Sequence, residues 1–558
     1  MAENYFSMGI DFGSNSVRAL IIDVATGKEL GTASSSYAGG ERGIYTDAGN
    51  PHLARQCPGA YIDSMTEAVK EALAKASKKD DFLVENIVGI GVDATASTPL
   101  PVDQNLVPLA MQEKFKDNLN AKAWMWKDHT SITEAEKITA LASDIRPQYL
   151  AKCGGTYSSE WFFSKIWHCL NIDKEVFDAA HTWLDFPDFI PALLAGIKDP
   201  AQVKRGICGA GHKALYCKEW GGLPDKEFFK KLDPKLAELL PRLFTEAYTG
   251  DQIAGKLCEE WAGKLGLKQG TPISVGFIDA HLGAVGAGVG KGRLTRIIGT
   301  SSCDIMVAPN DNALPDIPGV CGVVDGSVIP GYYGIEAGQA AVGDIFNWFV
   351  TKVCDSNHDI FKKLTQKASA LRPGQSGLLA LDWNNGNRCV LADPKLTGLL
   401  VGQTLHTTQA EIYRALIEGT AFGARKIIDR LEECGIHIEE IINCGGIAEK
   451  DPMFMQICAD VFNRTMKISA SSETCALGAA IYGAVAGGAY KKVEDAQAKI
   501  CSFKDTIYHP VPENVTVYNE LYVLYCELYE SFGVEGTTCD HSQLMKKLIS
   551  LRDAIKKA

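Results

Sequence analysis

The first ninety residues carry short apolar runs separated by polar turns that contain glycine. This pattern predicts strands over residues 5–10, 17–24 and 30–36, because turns of this composition end strands. Apolar residues then recur on one face over residues 60–76, which predicts a helix. Residues 87–92 form a continuous apolar run, which is typical of a strand inside a buried sheet.

The second half of the chain opens with a similar pattern. Two apolar runs, 293–298 and 303–307, flank a Gly-Thr-Ser-Ser turn, much as the first two strands flank a Gly-Ser-Asn turn. Further strands are expected at 272–277, within 320–335 and at 440–444. The helices expected beyond the first hundred residues cover 280–288, 339–354, 409–434, 453–462 and 476–486.

The repeated hairpin indicates a duplicated α/β domain with a cleft between the two copies, although two unrelated hairpins would give the same pattern. We place the domains at residues 1–290 and 291–558, since 558 residues exceed what one hydrophobic core holds. Residues 110–265 are rich in Trp, Phe and short helical patterns without strand alternation. We interpret them as insertions that shape a pocket in the first domain.

The charge balance excludes one class of partner. The chain has 56 basic and 68 acidic residues, a formal net charge of −12 and no Lys/Arg-rich run, so nucleic acid is not an expected partner. The N-terminus lacks the apolar segment of a signal peptide. The longest uncharged stretch, 475–490, is shorter than the roughly 18 apolar residues that would suggest a membrane span. We therefore expect no membrane partner.

The cysteines favour a reducing compartment. There are 17 of them, an odd number, scattered without a CxxC pair. This spacing supports neither a zinc ribbon nor a dithiol redox site. Reduced thiols in the cytoplasm are the expectation.

Two motifs carry matching phosphate chemistry. Residues 9–18 place Asp11 at the end of a strand, before a turn rich in Gly and Ser. Backbone N–H groups and hydroxyls in such a turn suit phosphate oxygens, and the acid suits a hydrated Mg²⁺. Residues 298–304 repeat the arrangement. Either turn alone also fits an ordinary hairpin, but the matched pair favours a phosphate chain gripped from both halves.

Two further motifs are open to more than one interpretation. Residues 443–451 end a strand in two glycines, which lets a flat adenine approach the backbone or is simply a loop. Asp279 lies where an apolar strand meets a helix in residues 276–281. It is a candidate helix cap and a candidate general base for phosphoryl transfer.

These four motifs, in this order, resemble the FGGY carbohydrate kinases, and the similarity extends over about residues 8–490. The resemblance implies two duplicated ribonuclease-H-like domains of the actin/Hsp70 type with the active site in the cleft between them. Several runs resemble the family members that phosphorylate L-ribulose, namely DFGSNSVRAL, GIGVDATASTP, WKDHT, YSSEW, GAGHK, GIEAGQAAVGDI and CALGAAI. Residues 164–168 and 399–403 follow the family signatures loosely, and the tail after about residue 500 has no interpretation.

The resemblance also implies roles for individual residues. Asp279 would be the catalytic base, and Asp11 would organise Mg²⁺ and the γ-phosphate of ATP. The remaining nucleotide contacts would come from one phosphate cradle (Gly13, Ser14, Asn15, Arg18), the facing cradle (Gly299, Thr300, Ser301) and the adenosine site (Gly445, Gly446).

Sugar contacts, by the same resemblance, would come from Ala96, Lys213 and Glu336 together with Asp279. A small residue lets the sugar approach the backbone, while a cation and a carboxylate hold hydroxyls directionally. Trp126 and Asp128 would form part of the pocket wall. Without the resemblance, Lys213 and Glu336 are ordinary surface charges, and the tryptophan segment is an aromatic core cluster.

The function implied is ATP-dependent phosphorylation of L-ribulose at O5. One alternative is another FGGY kinase acting on D-ribulose, xylulose or glycerol. The other is a sugar-independent, chaperone-type ATPase on the same fold, because a fold does not fix a function. The expected partners are the sugar and ATP, and homo-oligomerisation is left open.

Overall fold

A computed structural model describes residues 4–311, 313–354, 359–538 and 540–557. Its strands are β1 Phe6–Phe12, β2 Ser16–Asp23, β3 Glu29–Ser36, β4 Tyr45–Asp47, β5 Asn50–Gln56, β6 Ile87–Ala94, β7 Pro99–Val102, β8 Ala123–Trp124, β9 Thr182–Asp185, β10 Arg205–Gly206, β11 Ala247–Tyr248, β12 Ile253–Lys256, β13 Pro272–Ser274, β14 Phe277–Ile278, β15 Arg293–Ile298, β16 Ser302–Pro309, β17 Gly322–Asp325, β18 Tyr332–Ala337, β19 Leu379–Leu381, β20 Leu399–Val401, β21 Glu440–Cys444, β22 Met466–Ser469 and β23 Phe503–Tyr508.

The helices are α1 Pro58–Ala76, α2 Ile132–Ile145, α3 Gln148–Ala151, α4 Phe162–Ile172, α5 Lys174–Ala179, α6 Phe186–Leu194, α7 Ile207–Lys213, α8 Lys226–Leu232, α9 Pro234–Leu239, α10 Glu259–Leu265, α11 Asp279–Gly286, α12 Gly343–Trp348, α13 Asp359–Ser369, α14 Gln409–Glu433, α15 Gly446–Lys450, α16 Pro452–Phe462, α17 Thr474–Ala486, α18 Val493–Ile500, α19 Pro512–Gly533 and α20 Leu544–Lys557. No helix among the described residues combines the length and apolar character needed to cross a membrane.

The two halves each contain a mixed sheet with the same strand order. In the first, β1 pairs antiparallel with β2, which pairs with β3, and it is flanked on its other side by the parallel strands β6 and β13. In the second, β15 pairs antiparallel with β16, followed by β18, and parallel β21 and β22 lie on its other side. The duplicated α/β fold expected from the sequence is confirmed.

Two glycine-rich helices join the halves. Helix α17 follows the second sheet in sequence but packs on β1 and β6 of the first sheet and against α11. A Cβ at Gly91 would lie 1.8 Å from a backbone oxygen of α17, and a Cβ at Gly478 would lie 1.9 Å from the backbone of α11. Only glycine allows these backbones so close together. The uncharged stretch at 475–490 is therefore largely buried between the sheets.

The structure corrects one expected helix and describes the tail, for which the sequence analysis had no interpretation. The helix expected at 339–354 starts only at Gly343 and ends in a π-turn at Phe349–Val353, because the N–H of Val342 instead donates to the Thr300 carbonyl of the β15–β16 turn. The tail after residue 500 supplies β23, an edge strand of the second sheet, and α19, whose buried tyrosines pack on that domain's core.

Candidate active site

The β1–β2 turn holds a buried carboxylate. Asp11 Oδ2 accepts a hydrogen bond from Arg18 Nη1 at 3.1 Å, and Arg18 Nε lies 3.3 Å from Oε2 of Glu473, the residue before α17. The Gly13 N–H donates to the Ser16 carbonyl at 3.0 Å and closes the turn. The arginine is thus shared between two acids, one from each half of the chain, at the floor of the cleft.

The other residues of this turn contact neighbouring loops. Ser14 Oγ accepts a hydrogen bond from Trp126 Nε1 at 3.0 Å. Asn15 Nδ2 donates to the Arg42 carbonyl at 2.8 Å, so this side-chain amide is engaged away from the turn. The expected phosphate cradle is therefore tied through Ser14 to the segment that carries Trp126.

Three carboxylates lie together at the carboxyl ends of neighbouring strands of the first sheet. Asp11 on β1 is in register with Asp93 on the parallel strand β6, and Asp279 follows β14, which pairs with the other side of β6. Asp93 is fully buried, and none of the described N–H or hydroxyl groups donates to its oxygens; the side chain that hydrogen-bonds it is the Asp11 carboxyl. Burial, followed by the Asp11 charge, holds the pKa of Asp93 well above its ordinary value. This oxygen-rich edge fits the hard donor set that Mg²⁺ prefers.

Asp279 is the first residue of α11, and its Oδ1 accepts a hydrogen bond from the Ala280 N–H at 2.7 Å. Burial, reinforced by the Asp11 charge, raises the pKa of Asp279 to about 7, although the Ala280 N–H and Lys213 act in the opposite direction. A carboxyl with a pKa near the working pH can accept a proton and release it again. The capping and base interpretations of this residue are therefore compatible.

The β15–β16 turn faces the cleft from the second half. Gly299 and Thr300 are exposed, and the turn is closed by a hydrogen bond from the Gly299 N–H to the Ser301 carbonyl at 2.9 Å. The N–H groups of Gly343 and Asp344, at the start of α12, donate to the carbonyls of this turn at 3.1 Å. The hydroxyls that the sequence assigned to phosphate binding are thus presented on an anchored turn.

The two adjacent glycines lie next to this turn because β21 runs parallel to β15. Gly445 has a φ of 93°, and a Cβ there would be 2.4 Å from the Ile298 carbonyl oxygen, so a larger residue is excluded by both backbone conformation and space. Gly446 is exposed with open space around it and starts α15. The structure thus places the two adjacent glycines, Gly445 and Gly446, beside the β15–β16 turn.

Lys213 and Glu336 form a buried ion pair across the cleft. Lys213 ends α7 in the first half, Glu336 lies on β18 in the second, and Nζ donates to both carboxylate oxygens at 2.8 and 3.0 Å. Burial would lower the pKa of Lys213, but the Glu336 charge outweighs it and raises the pKa. Burial would raise the pKa of Glu336, but chiefly Lys213 holds it below its ordinary range. Both groups are charged, buried and paired, whereas without the resemblance each is expected as a separate surface charge.

Two histidines border this pair. His212 Nδ1 and His281 Nε2 lie 3.5 and 3.6 Å from Glu336 Oε2, all three side chains being buried. Burial lowers the pKa of His281 to about 4 and that of His212 well below its ordinary value. Spacing alone would allow a metal ion here, but the Lys213 ammonium already occupies both carboxylate oxygens and would repel a cation. The cluster is thus a buried polar group of side chains in which the Lys213 ammonium is the cation.

The Ala96 segment is held by two buried polar side chains that the sequence analysis missed. Lys165 is fully buried in α4, and its Nζ donates to the carbonyls of Ser97 and Met125, both at 2.8 Å. Asp185 Oδ1 accepts from the Thr98 N–H at 2.7 Å. Ala96 itself is half-buried against the core between the halves. The sequence signal for this contact was the single lysine in the apolar run FFSKIWHCL, because a lysine buried with that run needs hydrogen-bond partners.

The two residues expected in the pocket wall differ in their surroundings. Trp126 is half-buried beside the β1–β2 turn, where it contacts Ser14. Asp128 is fully buried, and its oxygens are taken up by Arg55, by the Ala54 N–H at 2.7 Å and by Thr130 Oγ1 at 2.6 Å. A carboxylate with all these partners supports the tryptophan segment and leaves little capacity for a sugar hydroxyl.

The chain matches the N-terminal domain of the FGGY family of carbohydrate kinases over residues 6–286 and the C-terminal domain of that family over residues 294–487. The chain belongs to the FGGY family of carbohydrate kinases. It is 40% identical over 541 residues to a ribulokinase of Vibrio parahaemolyticus, covering 93% of this chain and 95% of that protein. It is 37% identical to a ribulokinase of Mycolicibacterium smegmatis, with 99% and 98% covered.

Solved structures of FGGY kinases share the fold. A xylulose kinase from Rhodospirillum rubrum superposes with a TM-score of 0.77 at 21% identity, covering 94% of this chain and 98% of that one. A Plasmodium falciparum glycerol kinase with ADP gives a TM-score of 0.75 at 16% identity, with 95% and 99% covered. At these identities the likeness concerns the fold alone, and the chain has the actin-like two-domain architecture of an ATP-dependent carbohydrate kinase.

Proposed function

We propose that this chain phosphorylates L-ribulose at O5, with ATP and Mg²⁺, in the cytoplasm. The observation that carries the proposal is the position of Asp279. The pKa of its carboxyl is shifted by the charge of Asp11 on β1 and by the charges of Glu336 and Lys213. A sugar hydroxyl held by Asp279 would therefore lie between the sugar-binding charges and the terminal phosphate.

The residues divide the chemistry among themselves. Asp279 accepts the O5 proton as the phosphoryl group transfers. Lys213 donates to sugar oxygens and Glu336 accepts from sugar hydroxyls, which fixes the distance of O5 from the base. Mg²⁺, when bound with ATP, neutralises phosphate charge, and the Asp11 edge offers it oxygen ligands. The turns at Gly13 and Gly299 would hold phosphate oxygens from the two sides of the cleft.

The relatives named ribulokinase, 40% and 37% identical to this chain, support ribulose as the sugar. The buried ion pair separates this function from a sugar-independent ATPase, because a buried cation and carboxylate in the cleft serve a polyhydroxyl ligand and have no use in ATP hydrolysis alone. A polar pocket also rejects glycerol, which has fewer hydroxyls. Each buried group left unpaired costs about 1–3 kcal/mol, so two lost contacts lower kcat/KM by on the order of 10² or more.

The test is a coupled assay of ADP formation with the four 2-ketopentoses, glycerol and no acceptor. We expect no turnover without sugar, the highest kcat/KM with L-ribulose, milder losses with its stereoisomers and very low activity with glycerol. A clear preference for D-xylulose would assign the chain to a neighbouring kinase activity. Turnover that does not depend on sugar would refute the kinase proposal altogether.

A further inference from the structure

Asp93 is a buried acid whose place in the chemistry is still open. It ends β6 within the run GIGVDATAST, in register with Asp11 on the neighbouring parallel strand. Its side chain has no exposed surface, and none of the described N–H or hydroxyl groups donates to either oxygen. A buried carboxyl without donors is uncommon, because burial without partners costs free energy. The described donors therefore do not satisfy Asp93, and the side chain that hydrogen-bonds it is Asp11, itself an acid.

The nearby cations do not fill this role. Arg18 Nη1 bonds Asp11 and its Nε faces Glu473, and the side chain is 40% exposed toward the cleft. Lys213 is bonded to both oxygens of Glu336. The group that faces Asp93 is the Asp11 carboxyl, another acid. Arg18 takes one oxygen of Asp11, and none of the described cations bonds Asp93, so this pair of acids keeps oxygens for an external cation.

We propose that Asp93 is a second protein carboxylate of the divalent-cation site, beside Asp11. The inference rests on the proposed kinase function, which brings Mg²⁺ to the cleft together with the nucleotide. Mg²⁺ in such sites is held by one or two carboxylates, phosphate oxygens and water. Neighbouring strands are about 4.8 Å apart, so two in-register carboxylates reach one ion directly or through its water ligands.

Asp279 is less suited to this position than Asp93. One of its oxygens accepts from the Ala280 N–H, and the residue is partly exposed, whereas Asp93 is fully buried. The charges of Glu336 and Lys213 act on the pKa of Asp279, whereas the charges that act on Asp93 are those of Asp11, Asp279 and Arg18. The geometry thus separates a proton-accepting acid from two cation-facing acids on adjacent strands.

The test measures metal binding and requires no turnover. Mn²⁺ replaces Mg²⁺ as the probe, and the bound ion is counted by electron paramagnetic resonance with the full chain and ADP, without sugar. We expect Asp93→Asn to weaken Mn²⁺ binding by about 10–100-fold, the loss typical when a group that orients or holds a metal is removed. The affinity for ADP measured in EDTA should stay within about twofold of the wild-type value, because Asp93 contacts no part of the nucleotide in this assignment.

Glu473→Gln is the matched control, because it removes one negative charge from the same end of the cleft without touching the buried pair. It should bind Mn²⁺·ADP nearly as well as the wild type. Equal losses in both variants would overturn the inference, since general electrostatics would then explain the effect. Unchanged Mn²⁺ binding by Asp93→Asn would also overturn it, leaving Asp93 as a carboxyl that shares a proton with Asp11.

A second variant and a second measurement complete the test. If Asp93→Asn does not fold, Asp93→Ser, which leaves room for water, is measured against the same two outcomes. The rise in Tm caused by Mn²⁺·ADP gives a second readout, expected to be large in the wild type and small in the Asp93 variants. A wild-type chain that binds no Mn²⁺·ADP would refute the proposed function itself, whereas wild-type binding with an unaffected variant refutes only the role of Asp93.

Discussion

The pH dependence of sugar phosphorylation follows from Asp279. Its pKa is raised to about 7 by burial and by the Asp11 charge, and only the ionised carboxylate accepts the sugar proton. At pH 6 about a tenth of such a group is ionised, and at pH 5 about a hundredth. We therefore expect kcat/KM to fall about 10-fold between pH 8 and 6, and about 10-fold again to pH 5.

Three other groups of the pocket do not titrate near pH 7. The pKa of His281 is lowered to about 4, and that of Glu336 is also below its ordinary range. Lys213 has a raised pKa and stays protonated. Burial raises the pKa of Asp185, which holds the Ala96 segment, to about 6. An inflection near pH 7 in kcat/KM for the sugar, measured at saturating Mg·ATP, is therefore assigned to Asp279 by its loss in Asp279→Asn.

Asp279→Asn separates the base from the fold. It should lose about 10²–10⁴ in kcat, the usual contribution of a general base, and its residual rate should lack the inflection. Because the raised pKa favours the protonated native state, stability from this group is lost as pH rises through 7, so the variant should unfold at no lower temperature than the wild type at pH 8. A flat wild-type profile between pH 5.5 and 8, or near wild-type turnover in the variant, would refute the assignment.

Three further outcomes test the site and the fold. Glu336→Gln leaves Lys213 buried without its partner and should cost about 3–5 kcal/mol in unfolding free energy and raise KM for the sugar; an unchanged Tm and KM would contradict the pairing. Gly91→Ala places a Cβ 1.8 Å from the backbone of α17 and should destabilise by more than about 3 kcal/mol, whereas Gly263→Ala, with open space in α10, should stabilise by about 0.5–1 kcal/mol. Asp11→Ala should weaken use of Mg·ATP while calorimetry finds sugar affinity retained, and the reverse result would exchange the two sites.

Much of the secondary structure can be predicted from short segments of the sequence. The strands around Asp11 and the hairpin at 293–307 follow from apolar runs and turn residues, and their repetition indicates the duplicated domain. The helices at Pro58–Ala76 and Gln409–Glu433 carry their own apolar faces. These strands, turns and helices depend on residues close together in the sequence, so they can be predicted without knowledge of the tertiary structure.

The chemistry of individual side chains required the tertiary structure. The contact of Lys213 with Glu336 joins residues 123 positions apart, and no local pattern distinguishes such a pair from two surface charges. The burial of Asp93 and Lys165 depends on strands and loops brought together from distant segments. Electrostatic energies vary with burial and distance, and both are properties of the folded chain.

The sequence by itself determined the two α/β halves, the matched Gly-Ser and Gly-Thr-Ser turns and the place of Asp279 between a strand and a helix, because each is encoded within a short segment. Only the tertiary structure decided that α17 packs on the sheet of the other half, that the tail supplies β23 and α19, and that Asp128 is engaged with Arg55. The physical reason is that these arrangements come from close packing between segments far apart in the chain, where fit and burial select one partner among many that local pattern allows.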